Sequence, residues 1–115
     1  MPALAAFMTD IVTLTGPVWR LVGRAQVADA HEQFWKQRPD VTWDYIPTEI
    51  RVFDQWRWLS ERGTWIQKWT AEDRPIELRG TYQAFWKFVD GRWRLDAHLF
   101  VTTSCRGGAF CDRTP

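Results

Sequence analysis

The chain has 115 residues, which is the size of one ordinary domain, so we expect a single domain over residues 1–115. A hydrophobic fraction of 45% and a charged fraction of 25% are typical of a folded globule and exclude a disordered chain. With 15 Lys and Arg against 14 Asp and Glu, the net charge of +1 lacks the basic excess that nucleic-acid binding needs.

The start of the chain predicts a helix remnant followed by a short strand. Residues 3–8 are apolar and are interpreted as the tail of a helix, which Thr9 and Asp10 end before a strand at residues 11–14. No apolar run approaches the about 20 residues of a membrane helix, and the start has no basic leader. We therefore expect a cytoplasmic protein with no membrane contact.

The segment between Gly23 and Pro39 predicts the one clear helix. Its apolar and aromatic side chains recur at i, i+3, i+4, i+7 and i+8, which places them on one stripe. The members of this stripe are Val27, Ala30, His31, Phe34 and Trp35. Pro39 forbids a further turn because it has no backbone N–H and clashes with the preceding turn.

Four later segments are typical of strands because they alternate in polarity or are long and aromatic. They are residues 48–53, 56–69, 76–89 and 92–103. Asp90 and Gly91 form a two-residue hairpin signal between the last two. The short turns predict an antiparallel meander.

The predicted fold class is α+β, with a curved antiparallel sheet forming a half-open cone around one main helix. The sheet must bury one face, and a helix of about four turns would cover it. Gly63 and Gly80 interrupt the two longest strands and would let them curl. Such a cone leaves a cavity between the helix and the concave face, where a ligand site is expected.

Cys105 and Cys111 leave two alternatives open. Gly107 and Gly108 lie between them and would let the chain turn back, so a disulfide is feasible, while two reduced thiols are equally compatible. No His lies nearby in sequence, so we expect no metal. A disulfide together with a truncated start would instead fit a secreted or periplasmic protein.

Several segments together resemble the SnoaL-like branch of the nuclear transport factor 2-like superfamily, which has a cystatin-like fold. They are residues 10–12, 23–27, 80–82 with Trp86, and 90–95, while residues 61–65 and 105–111 resemble one uncharacterised bacterial subgroup. The resemblance implies a cone-shaped barrel and a homodimer through the outer sheet face. The usual first helix is shortened or missing, so a partner chain is expected to cover the apolar surface left open.

The catalytic residues of this superfamily do not carry over. It includes ketosteroid isomerases, epoxide hydrolases, polyketide cyclases and scytalone dehydratases. The isomerase base falls near Thr15 and the second isomerase carboxylate at Ala84, while the last-strand Asp of the epoxide hydrolases aligns with His98. None of these three positions carries the carboxylate that the corresponding enzymes use.

The last strand carries the candidate catalytic residues, Asp96 and His98. Simple alternation places them on one face with Arg94 and Phe100. The other face is apolar and consists of Trp93, Leu95, Ala97, Leu99 and Val101. Burial alone would turn the apolar face inward, whereas the resemblance implies that it faces a dimer partner, and we expect the second orientation because a monomer would not expose such a patch.

In that orientation Asp96 would orient His98, which would act as a general acid or base. The predicted ligand-binding side chains come from the helix and the last two strands, and they are His31, Phe34, Tyr82, Trp86 and Phe100. Alternatively, His31 is a core residue and Asp96 pairs with an arginine such as Arg94 or Arg79. Most of the 9 Trp are expected in the core and interface, and Glu49, Glu61 and Glu77 on a solvated surface paired with arginines.

Two functions of different classes therefore remain open. One is a site for a small apolar or aromatic molecule, with lyase, isomerase or hydrolase chemistry by proton transfer and without a cofactor. The alternative is a non-catalytic binding or association module whose cone is filled by its own side chains. A cavity of about 300 Å³ or more with His98 at its wall would favour the first. A carbohydrate-binding surface would instead expose coplanar Trp rings.

Overall fold

The computed structural model describes residues 8–16, 19–108 and 111. The elements in chain order are β1 (Met8–Thr15), β2 (Arg20–Val22), α1 (Arg24–Gln37), β3 (Thr42–Phe53), β4 (Trp58–Ala71), β5 (Arg74–Val89) and β6 (Arg92–Arg106). The strands form one sheet in the order β2-β1-β6-β5-β4-β3. The α+β prediction of a helix against a curved sheet is confirmed for these residues.

Strands β3 to β6 form the predicted antiparallel meander. Strand β1 extends the sheet beyond β6 and runs parallel to it. Of the residues predicted as a helix tail, Met8 begins β1 and residues 3–7 lie outside the described part of the chain.

Helix α1 begins after Gly23 and ends one residue before the Arg38–Pro39 pair, as the sequence predicts. Gly23 has a φ of 90°, a conformation that favours glycine, and its N–H donates to the carbonyl of Val12 over 2.7 Å. Val27 is fully buried against the core. The helix therefore packs most of its apolar stripe toward the sheet, whereas Trp35, which was predicted on this stripe, is 37% exposed.

The turn between β5 and β6 is the two-residue hairpin that Asp90 and Gly91 predict. Val89 pairs with Arg92, and the two central residues have φ values of 52° and 80°. Positive φ at both positions is the geometry of a type I′ turn, which matches the twist of the flanking strands.

A close approach between Trp65 and Gly80 shapes the concave face. The two residues are opposite each other on β4 and β5, and a Cβ at Gly80 would lie 2.6 Å from the Trp65 ring. The indole Nε1 donates to the carbonyl of Thr81 over 3.0 Å. Glycine at position 80 thus lets the buried ring lie flat against the sheet.

A register shift in β6 changes which side chains face inward. Trp86 pairs with Leu95 and Phe85 pairs with Ala97, so Asp96 is an extra residue on its strand, as in a β-bulge. Leu95 is consequently in the core, with 4% of its surface exposed. The expectation that Leu95 faces outward with the apolar set is wrong.

Two large members of that set, Leu99 and Val101, do lie on the outside of the sheet and are 44% and 47% exposed. Trp93 precedes the bulge and lies on the same face as Leu95, opposite Phe88 of β5. The bulge therefore divides a face that simple alternation had treated as continuous.

The core has two clusters of buried side chains. The larger lies between α1, β1 and the concave face, and the smaller surrounds Val41, Trp69 and Ile76. A disulfide joins Cys105 to Cys111, which resolves the two alternatives for these cysteines, and both pack against the smaller cluster. No helix among the described residues is long and apolar enough to cross a membrane.

Candidate functional site

A cavity of about 440 Å³ lies between α1 and the concave face of the sheet. Most of its lining is aliphatic or aromatic. The lining side chains are Leu14, Trp19, Leu21, Ala30, His31, Phe34, Arg38, Trp43, Trp65, Gln67, Leu78, Phe100 and Thr102. The volume exceeds the expected 300 Å³, so among the described residues the cone is not filled by its own side chains, but His98, which was expected at the wall, is not among the lining residues.

His31 is the titratable base at the cavity wall. Its Nδ1 lies 3.0 Å from the carbonyl oxygen of Val27, one helical turn earlier. A carbonyl only accepts hydrogen bonds, so Nδ1 must carry the proton and Nε2 of the neutral ring must carry the lone pair. Burial lowers the pKa of His31, which keeps the ring neutral at physiological pH.

Arg38 and Gln67 form the most polar part of the cavity wall. Arg38 Nη1 donates to Gln67 Oε1 over 2.6 Å, and the guanidinium carbon lies 4.0 Å from the centre of the Trp69 ring. Gln67 is only 3% exposed. The described lining contains no Asp or Glu, so Arg38 is its only formally charged member.

His98 lies behind the cavity and is not part of the lining. Its ring stacks on Phe100 with centroids 4.0 Å apart, and the rings of Tyr45 and Tyr82 lie 5.5 and 5.4 Å away. Its Nε2 is buried without a hydrogen-bond partner among the described residues. Burial, with a smaller contribution from His31, lowers the pKa of His98 to about 4.

Asp96 lies apart from His98 because of the bulge in β6. Thr9 Oγ1 donates to Asp96 Oδ1 over 2.8 Å, and Lys87 Nζ lies 3.4 Å from Asp96 Oδ2. The carboxylate thus joins β1 and β5. The expected Asp96–His98 pair is therefore not formed, and neither is the alternative pairing with Arg79, which contacts Glu77 instead.

Glu61 is a site-facing carboxylate that sequence reasoning placed on the surface. The Tyr82 hydroxyl donates to Glu61 Oε2, and Trp86 Nε1 donates to Oε1 over 3.2 Å. Burial and the hydrogen bond to Glu61 raise the pKa of Tyr82. The sequence did contain a signal, since Glu61 alternates on β4 with Trp65 and Trp69, both of which are buried.

The predicted ligand-binding residues divide into two groups. Those that line the cavity are His31, Phe34 and Phe100. Tyr82 and Trp86 instead surround the Glu61 carboxylate, close to the ring of His98. The sequence thus identified one wall of the cavity and a second, adjacent polar cluster.

Arg38 and Gln67 are the lining residues that sequence reasoning missed. Arg38 follows Phe34 by four residues and His31 by seven, so it continues the helical stripe, but that stripe was traced through apolar and aromatic side chains only. Gln67 alternates with Trp65 along β4 in the same way as Glu61. A search for polar residues in phase with buried aromatic residues would have found both.

Among the described residues, no three His, Cys, Asp or Glu side chains are grouped closely enough to hold a metal ion. The arrangement offers instead a neutral imidazole and a guanidinium on one apolar cavity. The imidazole can exchange a proton with a bound molecule, and the guanidinium can bind an anion.

A curved sheet wrapped around a helix, with the cavity between them, defines the class of cystatin-like, nuclear transport factor 2-like cones. No model of a protein family matches the sequence, and no curated protein matches it either. Solved structures do match, and their TM-scores show a common fold.

Three of these structures illustrate how differently proteins of this fold are described. A protein of cystatin-like fold from Caulobacter vibrioides is 18% identical, with 90% of this chain and 75% of that chain covered and a TM-score of 0.75. A protein from Novosphingobium aromaticivorans, provisionally described as a scytalone dehydratase, is 18% identical over 91% and 72%, with a TM-score of 0.80. A Xanthomonas campestris protein, provisionally described as a calcium/calmodulin dependent protein kinase II association domain, is 16% identical over 86% and 71%, with a TM-score of 0.72. The predicted cystatin-like fold is confirmed.

Proposed function

We propose that this protein binds a small, largely apolar molecule in the cavity between α1 and the sheet. The observation that carries the proposal is the 440 Å³ volume with a mainly aromatic and aliphatic lining and few polar side chains. Sites for small molecules have this composition, because apolar walls supply binding energy and a few polar groups fix orientation.

The chemistry we propose is proton transfer by His31, without a cofactor. Nε2 of the neutral ring takes a proton from a carbon of the bound molecule or from a water beside it. In the first case the electron pair of the C–H bond forms a double bond, with departure of a leaving group or rearrangement of an existing double bond. In the second, the resulting hydroxide bonds to an electrophilic carbon of the molecule, the bond from that carbon to a leaving group breaks, and the leaving group takes the proton back from His31. Lyase, isomerase and hydrolase reactions all fit this step.

His98 and Asp96, the catalytic pair expected from the sequence, take no direct part in this proposal. His98 is not among the cavity-lining residues and stacks on Phe100, which is one of them, while Asp96 is bonded to Thr9 and close to Lys87. His31 is the histidine that a bound molecule would contact.

We also propose that a second copy of the chain covers the outer face of the sheet. Leu99 and Val101 of β6 are 44% and 47% exposed there. Apolar side chains grouped on a sheet face favour an interface between copies. The Xanthomonas campestris structure, described as an association domain, supports oligomerisation as a use of this fold.

The binding proposal is tested with phenylnaphthylamine, a neutral aromatic dye whose emission rises in an apolar site. The dye should also quench the emission of Trp19, Trp43 and Trp65, which line the cavity. Ala30→Phe fills the cavity from α1 and should abolish binding. Ala25→Phe is the matched control, because Ala25 is an exposed residue of the same helix.

Both variants should unfold cooperatively, so that a loss of binding is not a loss of fold. Saturable binding to the parent protein and to Ala25→Phe, but not to Ala30→Phe, is the expected pattern. No binding to the parent protein, or equal binding to all three proteins, would overturn the proposal.

A further inference from the structure

We propose that Glu61 and Tyr45 form a second ligand site, outside the cavity, which takes the primary ammonium group of a small apolar molecule. Neither residue belongs to the described cavity lining. Tyr45 is opposite Trp65, and Glu61 lies four residues before Trp65 on β4, so all three share the concave face of the sheet. The site is therefore a neighbour of the cavity on the same face.

The Glu61 carboxylate is held in place by two neutral groups of β5. The Tyr82 hydroxyl donates to Oε2, and the Trp86 indole N–H donates to Oε1 over 3.2 Å. A carboxylate has about four acceptor positions, so about two stay available for further donors. The carboxylate is half-buried, and a cation would stabilise its charge more strongly than these neutral donors do.

Among the described residues, no lysine or arginine forms an ion pair with Glu61. Arg62 follows Glu61 on β4, and Arg51 follows Ile50, which is opposite Glu61 on β3. Alternation turns both guanidinium groups to the outer face of the sheet, where Arg51 contacts Glu49. A cation for the Glu61 carboxylate is therefore left for another molecule to supply.

Tyr45 provides a further acceptor beside this carboxylate. Its ring packs edge to face against the ring of Tyr82, with centroids 5.1 Å apart. Partial burial, followed by the proximity of Tyr82 and Glu61, raises the pKa of Tyr45, so the hydroxyl stays protonated at neutral pH. A primary ammonium has three N–H donors, which the two open carboxylate positions and the Tyr45 oxygen can accept. A quaternary ammonium has no such donors.

Exposed apolar side chains lie beside the carboxylate. Ile50 is directly opposite Glu61 and is 55% exposed, and Val52, two residues further on the same face, is 52% exposed. Apolar surface next to a fixed charge favours a molecule that combines an apolar body with the opposite charge. A phenyl ring on a short alkylamine has this form.

The test compares phenethylamine with phenylethanol, in which a hydroxyl replaces the ammonium. The readout is the indole N–H resonance of Trp86, assigned with the variant Trp86→Phe. We expect the amine to shift this resonance saturably and the alcohol to bind about tenfold or more weakly, since hydrogen bonds between charged groups are the stronger ones. Phenethyltrimethylammonium keeps the charge but loses the donors, and it should bind about fivefold more weakly than the amine.

Glu61→Gln keeps an acceptor oxygen and removes the charge, so it should weaken amine binding about tenfold or more. Glu49→Gln is the matched control, because Glu49 pairs with Arg51 on the outer face, and it should bind the amine within about twofold of the parent protein. If Glu61→Gln does not fold, Ile50→Lys decides, since its own ammonium would occupy Glu61 and weaken amine binding to a similar extent. Ile46→Lys is the control for that variant, because Ile46 is 49% exposed on the outer face.

The variant Ala30→Phe, which fills the cavity, separates this site from the proposed function. It should abolish binding of phenylnaphthylamine and leave the affinity for phenethylamine unchanged. Loss of amine binding in Ala30→Phe would place the amine in the cavity and overturn the second site. No binding of the amine, equal binding of the amine and either comparison compound, or equal effects of the Glu61 and Glu49 variants would overturn it as well.

Discussion

His31 and Val27 are linked across one turn of α1 by a hydrogen bond of 3.0 Å between the imidazole Nδ1 and the backbone carbonyl. Because the acceptor belongs to the helix backbone, the ring is held in one tautomer by the secondary structure itself. The second ring nitrogen is thereby left as a base, on the side chain that lines the cavity.

We predict that Nδ1 of His31 carries the proton at neutral pH and that its pKa lies below the ordinary value of 6.5, because burial disfavours the charged ring. Nitrogen NMR of the imidazole ring across a pH titration measures both properties. The chain has 2 His, so the variant His98→Phe leaves one signal and assigns it without ambiguity. A ring protonated at Nε2, or a pKa above 6.5, would contradict the assignment of Nε2 as the base.

His98 should make the protein less stable as the pH falls. Its folded-state pKa of about 4 is below the ordinary value of 6.5. Between these pH values the His98 imidazole is therefore protonated in the unfolded chain and neutral in the folded chain. The free energy of unfolding should therefore decrease over this window, by up to about 3 kcal/mol. Urea unfolding at a series of pH values measures the effect.

His98→Phe is the matched variant because it keeps an aromatic ring against Phe100 and removes the titrating group. The groups around position 98 are Tyr45, Tyr82 and His31, and of these only His31 also titrates in the window. The pH dependence of the variant should accordingly be shallower than that of the parent protein. Identical slopes would show that His98 is not buried as described.

The fold was predictable because its signals are local. The hairpin at Asp90 and Gly91 and the helix stop at Pro39 each follow from the conformational limits of one or two residues. The bulge at Asp96 was not predictable, because polar and apolar residues alternate without interruption through residues 94–99. The extra residue becomes visible only when β6 is paired with both β1 and β5.

The same bulge explains why the site was predicted only in part. Alternation joined Asp96 to His98, whereas pairing of the strands separates them and leaves His98 beside Phe100. Glu61 was interpreted as a surface residue because a carboxylate in an arginine-rich strand is usually solvated. Its role depends on donors from β5, Tyr82 and Trp86, whose approach is a property of the tertiary structure.

Glu61→Ala should destabilise the protein by about 2–4 kcal/mol, because Tyr82 Oη and Trp86 Nε1 would lose a charged acceptor inside the cone. Glu49→Ala is the control, since Glu49 pairs with the exposed Arg51 and should cost about 1 kcal/mol or less. Urea unfolding measures both. Equal effects of the two variants would mean that Glu61 is an ordinary surface carboxylate.

Reduction of the disulfide should lower stability by about 2 kcal/mol, the value expected from the loop entropy of a cross-link between residues six apart in sequence. Thermal unfolding with and without a thiol reductant measures the difference. The double variant Cys105→Ala with Cys111→Ala should unfold at one temperature under both conditions. In the parent protein, titration of thiols after denaturation without reductant should find none at positions 105 and 111, and stoichiometric thiols there would contradict the cross-link.

The outer face should associate two copies of the chain through Leu99 and Val101, which are 44% and 47% exposed. A lysine at position 99 places a charge in an apolar interface, where desolvation opposes association, so Leu99→Lys should yield a monomer. Ile50→Lys is the control, because Ile50 is 55% exposed on β3 but pairs with Glu61, which places it on the opposite, concave face of the sheet. Light scattering at micromolar concentration should give a dimer for the parent protein and the control, and a monomeric parent protein would show that this face has no partner copy.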